Sequence, residues 1–333
     1  MSIGRPVASL GLSGGVAAPP GGALGLAEAA VRRLRVDLSV DEAHDRVELV
    51  LWAGSKLAGA APGDVLSVAL SNGQDDPEDV LRAEVSGVDA IGGGSVLTAF
   101  SASRRLSLTH SGRSWRQTTL GQVVRDLLGD GEVDAGDVAA TLSLPALHVD
   151  PHRSIWSALH DLARRTGHQI TSTPDGKVSF TGAAGTGGVG GVGAVGGGLA
   201  GVGGLGSGEL REGAELLSFR AGPRQARTAL TRVSPAGAQY WYLLEAAPDS
   251  GSDVEVVDPA LRTREAANAG TDAFAADASR ATRRARMRVT GRPDLRAGTT
   301  IQARGESYRV LRVRHAVDPA TGYLCDLLLE GDS

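Results

Sequence analysis

Ordered patterning begins near residue 33, where apolar and polar positions start to alternate. Leu34, Val36, Leu38 and Val40 fall on every second position between charged or small polar neighbours, which predicts a half-buried strand. The same period returns in Asp45 to Trp52 and in Asp64 to Leu70, with Pro62-Gly63 supplying turn chemistry between them. Leu81 to Val88 and Ser95 to Ser101 add two strands joined across Gly92-Gly93-Gly94, and Arg105 to Leu108 reads as a sixth. Short, evenly spaced strands predict a closed or nearly closed antiparallel barrel, an arrangement that removes exposed edges.

After Trp115 the period lengthens. Leu120, Val123, Val124, Leu127 and Leu128 follow helical spacing, with Thr118 or Thr119 as N-cap and Gly129 as the stop. A second helix is expected from about Pro151, with Ile155, Trp156, Leu159 and Leu162 on one face and Gly167 just past its end. His168 to Ser172 and Lys177 to Phe180 flank Pro174-Asp175-Gly176 and read as a hairpin. Residues 182–208 hold 15 glycines and no charge, a composition that predicts a flexible, deletable loop. Beyond it, Leu216 to Arg220, Ala229 to Val233 and Tyr240 to Glu245 read as strands, and Arg262 to Arg286 as an Ala-rich helix. Three β runs, at Arg288 to Gly298, Tyr308 to His315 and Gly322 to Glu330, close the chain.

The expected class is therefore α+β, mainly β, with two barrel-like antiparallel β-domains bracketing a small α/β insert. The boundaries are a flexible N-terminal arm at 1–30, a first β-domain at 31–115, the insert at 116–181, the Gly-rich loop at 182–208 and a second β-domain at 209–333. The length of 333 residues agrees, since a single core stops growing at roughly 250–300. Aromatics make up only 4% of the chain, so Val, Leu and Ala must fill its cores. A net charge of -4 with both signs interleaved argues against a duplex-DNA binder. The basic run Arg280 to Arg286 reads as the solvated end of a helix. Cys325 is the single cysteine, which excludes a disulfide framework or a cysteine zinc site. No signal peptide and no 18-residue apolar helix is evident.

Candidate chemistry is sparse. The glycines after Val178-Ser179-Phe180 mimic a dinucleotide fingerprint, but no helical period follows them. His148, His152, His160 and His168 straddle a helix rather than sharing one face of it, so capping or exposed roles are expected over metal binding. Asp75, Asp76, Glu78 and Asp79 surround Pro77 without the alternating ligands of a calcium loop and read as a solvated hairpin tip. There is no nucleophile elbow and no P-loop. No catalytic, cofactor-binding or metal residue is assigned, and no cofactor is expected.

The order of these elements resembles the phage late control protein D family, the baseplate hub proteins of contractile tails, and the hub portion of VgrG-type proteins of contractile injection systems. The resemblance rests on Pro62-Gly63-Asp64-Val65-Leu66-Ser67-Val68 followed by Ala83 to Val88, on the helix at Thr118 to Leu128, and on Pro151 to Gly167 ahead of Pro174-Asp175-Gly176. Its fourth element is the C-terminal run Thr290 to Gly298, Tyr308-Arg309-Val310, His315 and Gly322-Tyr323. It implies a non-enzymatic homotrimer whose six barrel-like units form a ring between a hexameric inner tube and a trimeric spike, together with other baseplate components. Because the chain stops at Ser333, the spike is expected as a separate protein. The lone cysteine fits folding in a reducing cytoplasm. The mixed charge argues against a nucleic-acid partner, and the lack of an 18-residue apolar helix against a membrane span. The resemblance implies assembly into a phage tail or injection particle. The alternatives are a particle-associated cell-wall hydrolase and a cell-surface-binding β-module, the latter using Tyr240-Trp241-Tyr242.

Overall fold

The computed structural model describes residues 7–13, 24–73, 75–183, 210, 215–222, 232–235, 255–258 and 260–331. The fold is α+β and mainly β. In its first half, β1 (Val7–Ser13), β2 (Leu24–Gly25), β3 (Val31–Ser39), β4 (Arg46–Trp52), β5 (Val65–Ser71), β6 (Glu78–Ile91) and β7 (Gly94–Phe100) form antiparallel pairs. The alternation read from the sequence is the burial pattern: Leu34, Val36 and Leu38 of β3 face the core, as do Val47, Leu49 and Leu51 of β4. Part of the stretch expected as a loose arm is ordered. β1 runs along the whole of β5, from Val7↔Ser71 to Ser13↔Val65, and buries Ala8, Leu10 and Leu12. Those three residues carry the same period of two, masked in the sequence by neighbouring glycines.

The second half contributes β13 (Leu216–Ala221), α4 (Arg264–Ala281), β16 (Arg284–Thr290), β17 (Thr300–Ala303), β18 (Glu306–Asp318) and β19 (Gly322–Gly331). A separate two-stranded pair joins β14 (Arg232–Pro235) to β15 (Glu255–Asp258). β18 ties the halves together. Its C-terminal part pairs with β3, from Arg312↔Ser39 to Val317↔Leu34, while its start pairs with β17. The result is one 12-stranded sheet in the order β13-β16-β19-β18-β3-β4-β7-β6-β5-β1-β2, with β17 attached to β18. No pairing among the described residues joins its two ends. Both halves also share a single apolar core, in which Leu10, Leu49 and Leu97 belong to the same cluster as Met287, Val313 and Leu327.

Between the halves lie α1 (Ser103–Leu108), β8 (Ser114–Thr119), α2 (Leu120–Asp130), β9 (Ala135–Val138), β10 (Ser143–His148), α3 (Ile155–Thr166), β11 (His168–Ser172) and β12 (Val178–Gly182). They surround a second core built on Val123, Val124, Leu127, Leu159 and Phe180, which Leu261, ahead of α4, and Ala266, in its first turn, also enter. Both expected helices are present. The Thr119 side chain caps α2 by accepting from Gln122 N, and Gly167, at φ 70°, takes the left-handed position after α3. The hairpin across Pro174-Asp175-Gly176 is β11–β12, paired from His168↔Gly182 to Ser172↔Val178.

Several boundaries differ from expectation. Arg105 to Leu108 belongs to a helix, not a strand: Leu106 is 0% exposed and Leu108 67%, a divergence that period-two geometry does not allow. α2 continues through Gly129 to Asp130. α3 begins at Ile155, because Ser154 rather than the Pro151 turn caps it. The Ala-rich helix stops at Ala281, and the basic run crosses from α4 into β16, with Arg280 buried rather than solvated. β8 and β10 pair as a two-stranded ribbon where the sequence carries no run of apolar residues at every second position. The Gly-rich segment from residue 184 onward, Tyr240 to Glu245 and most of Ala229 to Val233 lie outside the described residues.

Candidate functional site

The four histidines singled out by spacing are dispersed. His148, on β10, is exposed and bonded through Nδ1 to Ser114 Oγ at 2.8 Å, and His152 is exposed in the turn before α3. His160 stacks on Trp156 with ring centroids 5.9 Å apart, and His168 stacks on Phe180 at 4.9 Å. Burial pushes both of the latter below the ordinary imidazole pKa, which favours the neutral ring. The structure does bring these two to one small cleft of about 60 Å³, between α3, β11, α4 and β18, whose wall includes Arg164, Asp277, Arg280 and Arg309. No group of three or more His, Cys, Asp or Glu side chains able to hold a metal ion occurs among the described residues. Asp75, Asp76, Glu78 and Asp79 are exposed at the β5–β6 connection, where Arg296 Nη2 donates to the Asp79 carbonyl at 2.6 Å.

One constellation of potentially reactive groups escaped sequence reading. Strand register sets His315 of β18 directly opposite Cys325 of β19, both facing the core and both 0% exposed. Cys325 Sγ lies 3.4 Å from His315 Nδ1, which is 2.8 Å from the Tyr323 hydroxyl. A Cys–His pair suggests a nucleophile and its base, but the electrostatics point the other way. Burial pushes the thiol up to about 12 and, with Arg296 nearby, the imidazole down to about 3, and it raises Tyr323 as well. A neutral thiol beside a neutral imidazole, with no solvent access, is a packing cluster and not an activated nucleophile. It was legible in principle. With Asp318 opposite Gly322 in the hairpin, residues whose numbers sum to 640 face each other, and 315 with 325 is such a pair.

Two polar clusters fix the insert to the sheet. Arg309 of β18 donates through Nη1 to Glu330 Oε1 of β19 at 2.8 Å, and through Nε and Nη2 to Gln169 Oε1 of β11 at 3.2 and 2.8 Å. Arg280 of α4 completes the contact, with Nε 3.3 Å from the same Glu330 oxygen. Gln169 also donates to the Gly298 carbonyl at 3.2 Å. On the other side, the buried Asp45 carboxylate accepts from Ser39 N at 2.9 Å. Beside it, Ser101, Ser103 and Ser172 form a hydroxyl chain with spacings of 2.8 and 3.4 Å. Desolvation lifts Asp45 to about 6 despite these donors.

What the molecule presents outward is a charged lattice rather than a pocket with convergent groups. Across the strands, Arg33 meets Asp318 at 3.1 Å, Arg314 meets Asp37 at 2.7 Å and Arg288 meets Asp326 at 2.6 Å. A shallow depression of about 630 Å³ on the β8–β10 ribbon is lined by Gln117, Thr118, Thr119, Gln122, Ser143, Leu144 and Pro145, none of them ionisable.

No family model matches the chain, and no curated relative matches it. Comparison with solved structures is more informative. A tail protein from Neisseria meningitidis superposes with a TM-score of 0.68 at 13% identity, over 98% of this chain and 97% of its own. The chain has a tail-protein fold. A prophage 43 kDa tail protein from Shewanella oneidensis matches with a TM-score of 0.66 at 13% identity, over 97% of this chain and 98% of that one. An Escherichia coli component of the type VI secretion system, described as structurally similar to tail proteins of bacteriophage T4, matches at 0.56 and 10% identity, over 91% of this chain and 74% of that one. The tail-protein fold thus runs through both β-halves and the insert. No described helix is long and apolar enough to cross a membrane.

Proposed function

We propose that this chain is a structural hub of a contractile phage tail or injection machine, and that it acts by assembly rather than catalysis. The observation that carries the proposal is the coverage: two tail proteins match the chain essentially end to end, through both β-halves and the insert. The buried, neutral state of the Cys325–His315 pair supports the same reading.

In this reading residues 31–115 and 209–333 supply two barrel-like units per protomer, with 116–181 as the insert beside them. Support comes from two long strands, β6 and β18, each of which changes partner along its length. Long strands that pass from one pairing to another are how sheets curl toward barrels. Three protomers would then give a ring of six similar units, able to join a hexameric inner tube to a trimeric spike. Such a ring needs heterologous contacts, in which different faces of the chain meet.

The test is light scattering of the purified chain alone and with its tube and spike partners, followed by electron cryomicroscopy of the complex. A trimer that binds both is expected. A persistent monomer that binds neither overturns the proposal.

A further inference from the structure

We propose that the outer edge of β13 receives an extended acidic segment of a partner protein, added to the sheet as a further strand. The inference goes beyond the hub role and does not depend on the trimer.

β13 is paired on one side only, to β16, and no strand among the described residues pairs with its other side. Among the described residues, the backbone donors and acceptors on that side of β13 therefore stand at the end of a 12-stranded sheet without a strand partner. The charge there is unbalanced. Arg220 of β13 sits directly opposite Arg286 of β16, and the residue opposite Arg286 on its far side is Leu328. Like charges facing each other across a strand pair destabilise the sheet. Two residues along, the ordinary arrangement holds, with Arg288 on Asp326. Arg220, Arg284 and Arg286 are all exposed and make no ion pair among the described residues.

Beside this edge lies a groove of about 260 Å³, whose lining includes Phe219, Ala221, Tyr308, Arg284, Arg304 and Glu306. Phe219 meets Tyr308 edge-on at 5.8 Å, and the Arg304 guanidinium lies 4.9 Å from the Phe219 ring centre. Glu306 in the groove accepts from the Tyr308 hydroxyl at 2.6 Å. Leu217, at the β-bulge of the same strand, is 52% exposed.

These features together specify the partner. An open ladder calls for a polypeptide in extended conformation, because only a strand matches alternating N–H and C=O groups. Guanidinium groups on the outer face call for carboxylates. The aromatic groove takes the apolar side chains that project between them, since alternate residues of a strand face opposite sides. A nucleic acid would satisfy the arginines but leave the β13 ladder unmatched. Arginines that served only to repel other strands would not need the aromatic groove.

The test uses the full chain and a fluorescein-labelled peptide alternating aspartate with valine, read by fluorescence anisotropy. Controls are the same peptide with lysine for aspartate, the acidic peptide N-methylated at alternate backbone nitrogens, and oligothymidylate. The acidic peptide is expected to bind, more weakly as salt rises, and to protect the β13 amides from hydrogen exchange. Arg220→Glu with Arg286→Glu, and separately the N-methylated peptide, should each weaken binding by about tenfold or more. The variant pair is on the surface, so its circular dichroism should match the parent's. Absence of binding overturns the proposal, as does equal binding of the N-methylated peptide, which reduces the edge to a charge patch. Tighter binding of oligothymidylate overturns it in favour of nucleic acid.

Discussion

Asp45 occupies a fully buried site at the junction of the first β-half with the insert, and its carboxyl titrates near 6 because burial outweighs the Ser39 amide that bonds it. In an unfolded chain an aspartate titrates near ~3.9, so folding favours the protonated form. Its contribution is therefore best below about pH 4, falls as the pH rises toward 6, and is constant above that. A shift of about two units corresponds to about 3 kcal/mol. Asp45→Asn keeps an oxygen for Ser39 and removes the charge. Urea unfolding should show the variant gaining on the parent by up to about 3 kcal/mol between about pH 4 and pH 8, with the gap opening below about pH 6; a constant gap would refute the assignment. Cys325 makes a second test at this scale. With its thiol pushed up to about 12 and no exposed surface, iodoacetamide should label it only after denaturation. Labelling of the native protein at the rate of the unfolded one would contradict the packing described. The Asp45 site was not visible in the sequence, because Ser101 and Ser172 reach it from far along the chain, whereas the pairing of Cys325 with His315 follows from the register of one hairpin.

At the scale of elements, the turn after β16 is held by contact rather than by backbone geometry. A Cβ on Gly291 would fall 2.1 Å from Cδ1 of Tyr323, the ring whose hydroxyl bonds His315. Gly305, in the turn between β17 and β18, has φ +73° with open space around it. Gly291→Ala should therefore cost about 2–3 kcal/mol by displacing a buried ring, and Gly305→Ala only about 1 kcal/mol of backbone strain. A cycle with Tyr323→Ala separates the causes: the Gly291 cost should shrink in that background and the Gly305 cost should not. The elements themselves were legible to the extent that their signals are local. Period-two runs gave β3 to β7, and the Thr119 cap and Gly167 stop framed α2 and α3, because caps and alternation act over a few residues. Leu106 and Leu108 misled, since apolar residues two apart match the period of a strand, and only the insert core shows that Leu106 alone is buried. β8 and β10 gave no strand signal because β8 is polar apart from Trp115, and the buried Leu144 and Leu147 of β10 are three residues apart across Pro145 rather than two.

For the whole molecule, the question is what makes the insert and the sheet one body. The partners that do so lie far apart in sequence. Gln169 and Arg309 are separated by 140 residues, and Arg280 belongs to a run whose composition suggested a solvated helix end. No spacing rule anticipates such a joint. Its energetics follow from burial: Glu330 is held above the usual carboxylate range by desolvation even with Arg309 and Arg280 against it. Removing it leaves two buried guanidinium groups facing each other, whereas replacing Gln169 removes only hydrogen bonds. Glu330→Ala should accordingly cost about 3–5 kcal/mol, and Gln169→Ala about 1–2 kcal/mol. Hydrogen exchange tells where the loss falls. In Gln169→Ala the amides of β9, β11 and β12 should lose protection before those of β3 and β18, because the insert keeps its own core when its tie to the sheet is cut. If protection falls together in both regions, the two cores unfold as one unit and the Arg309–Gln169 contact is not what joins them.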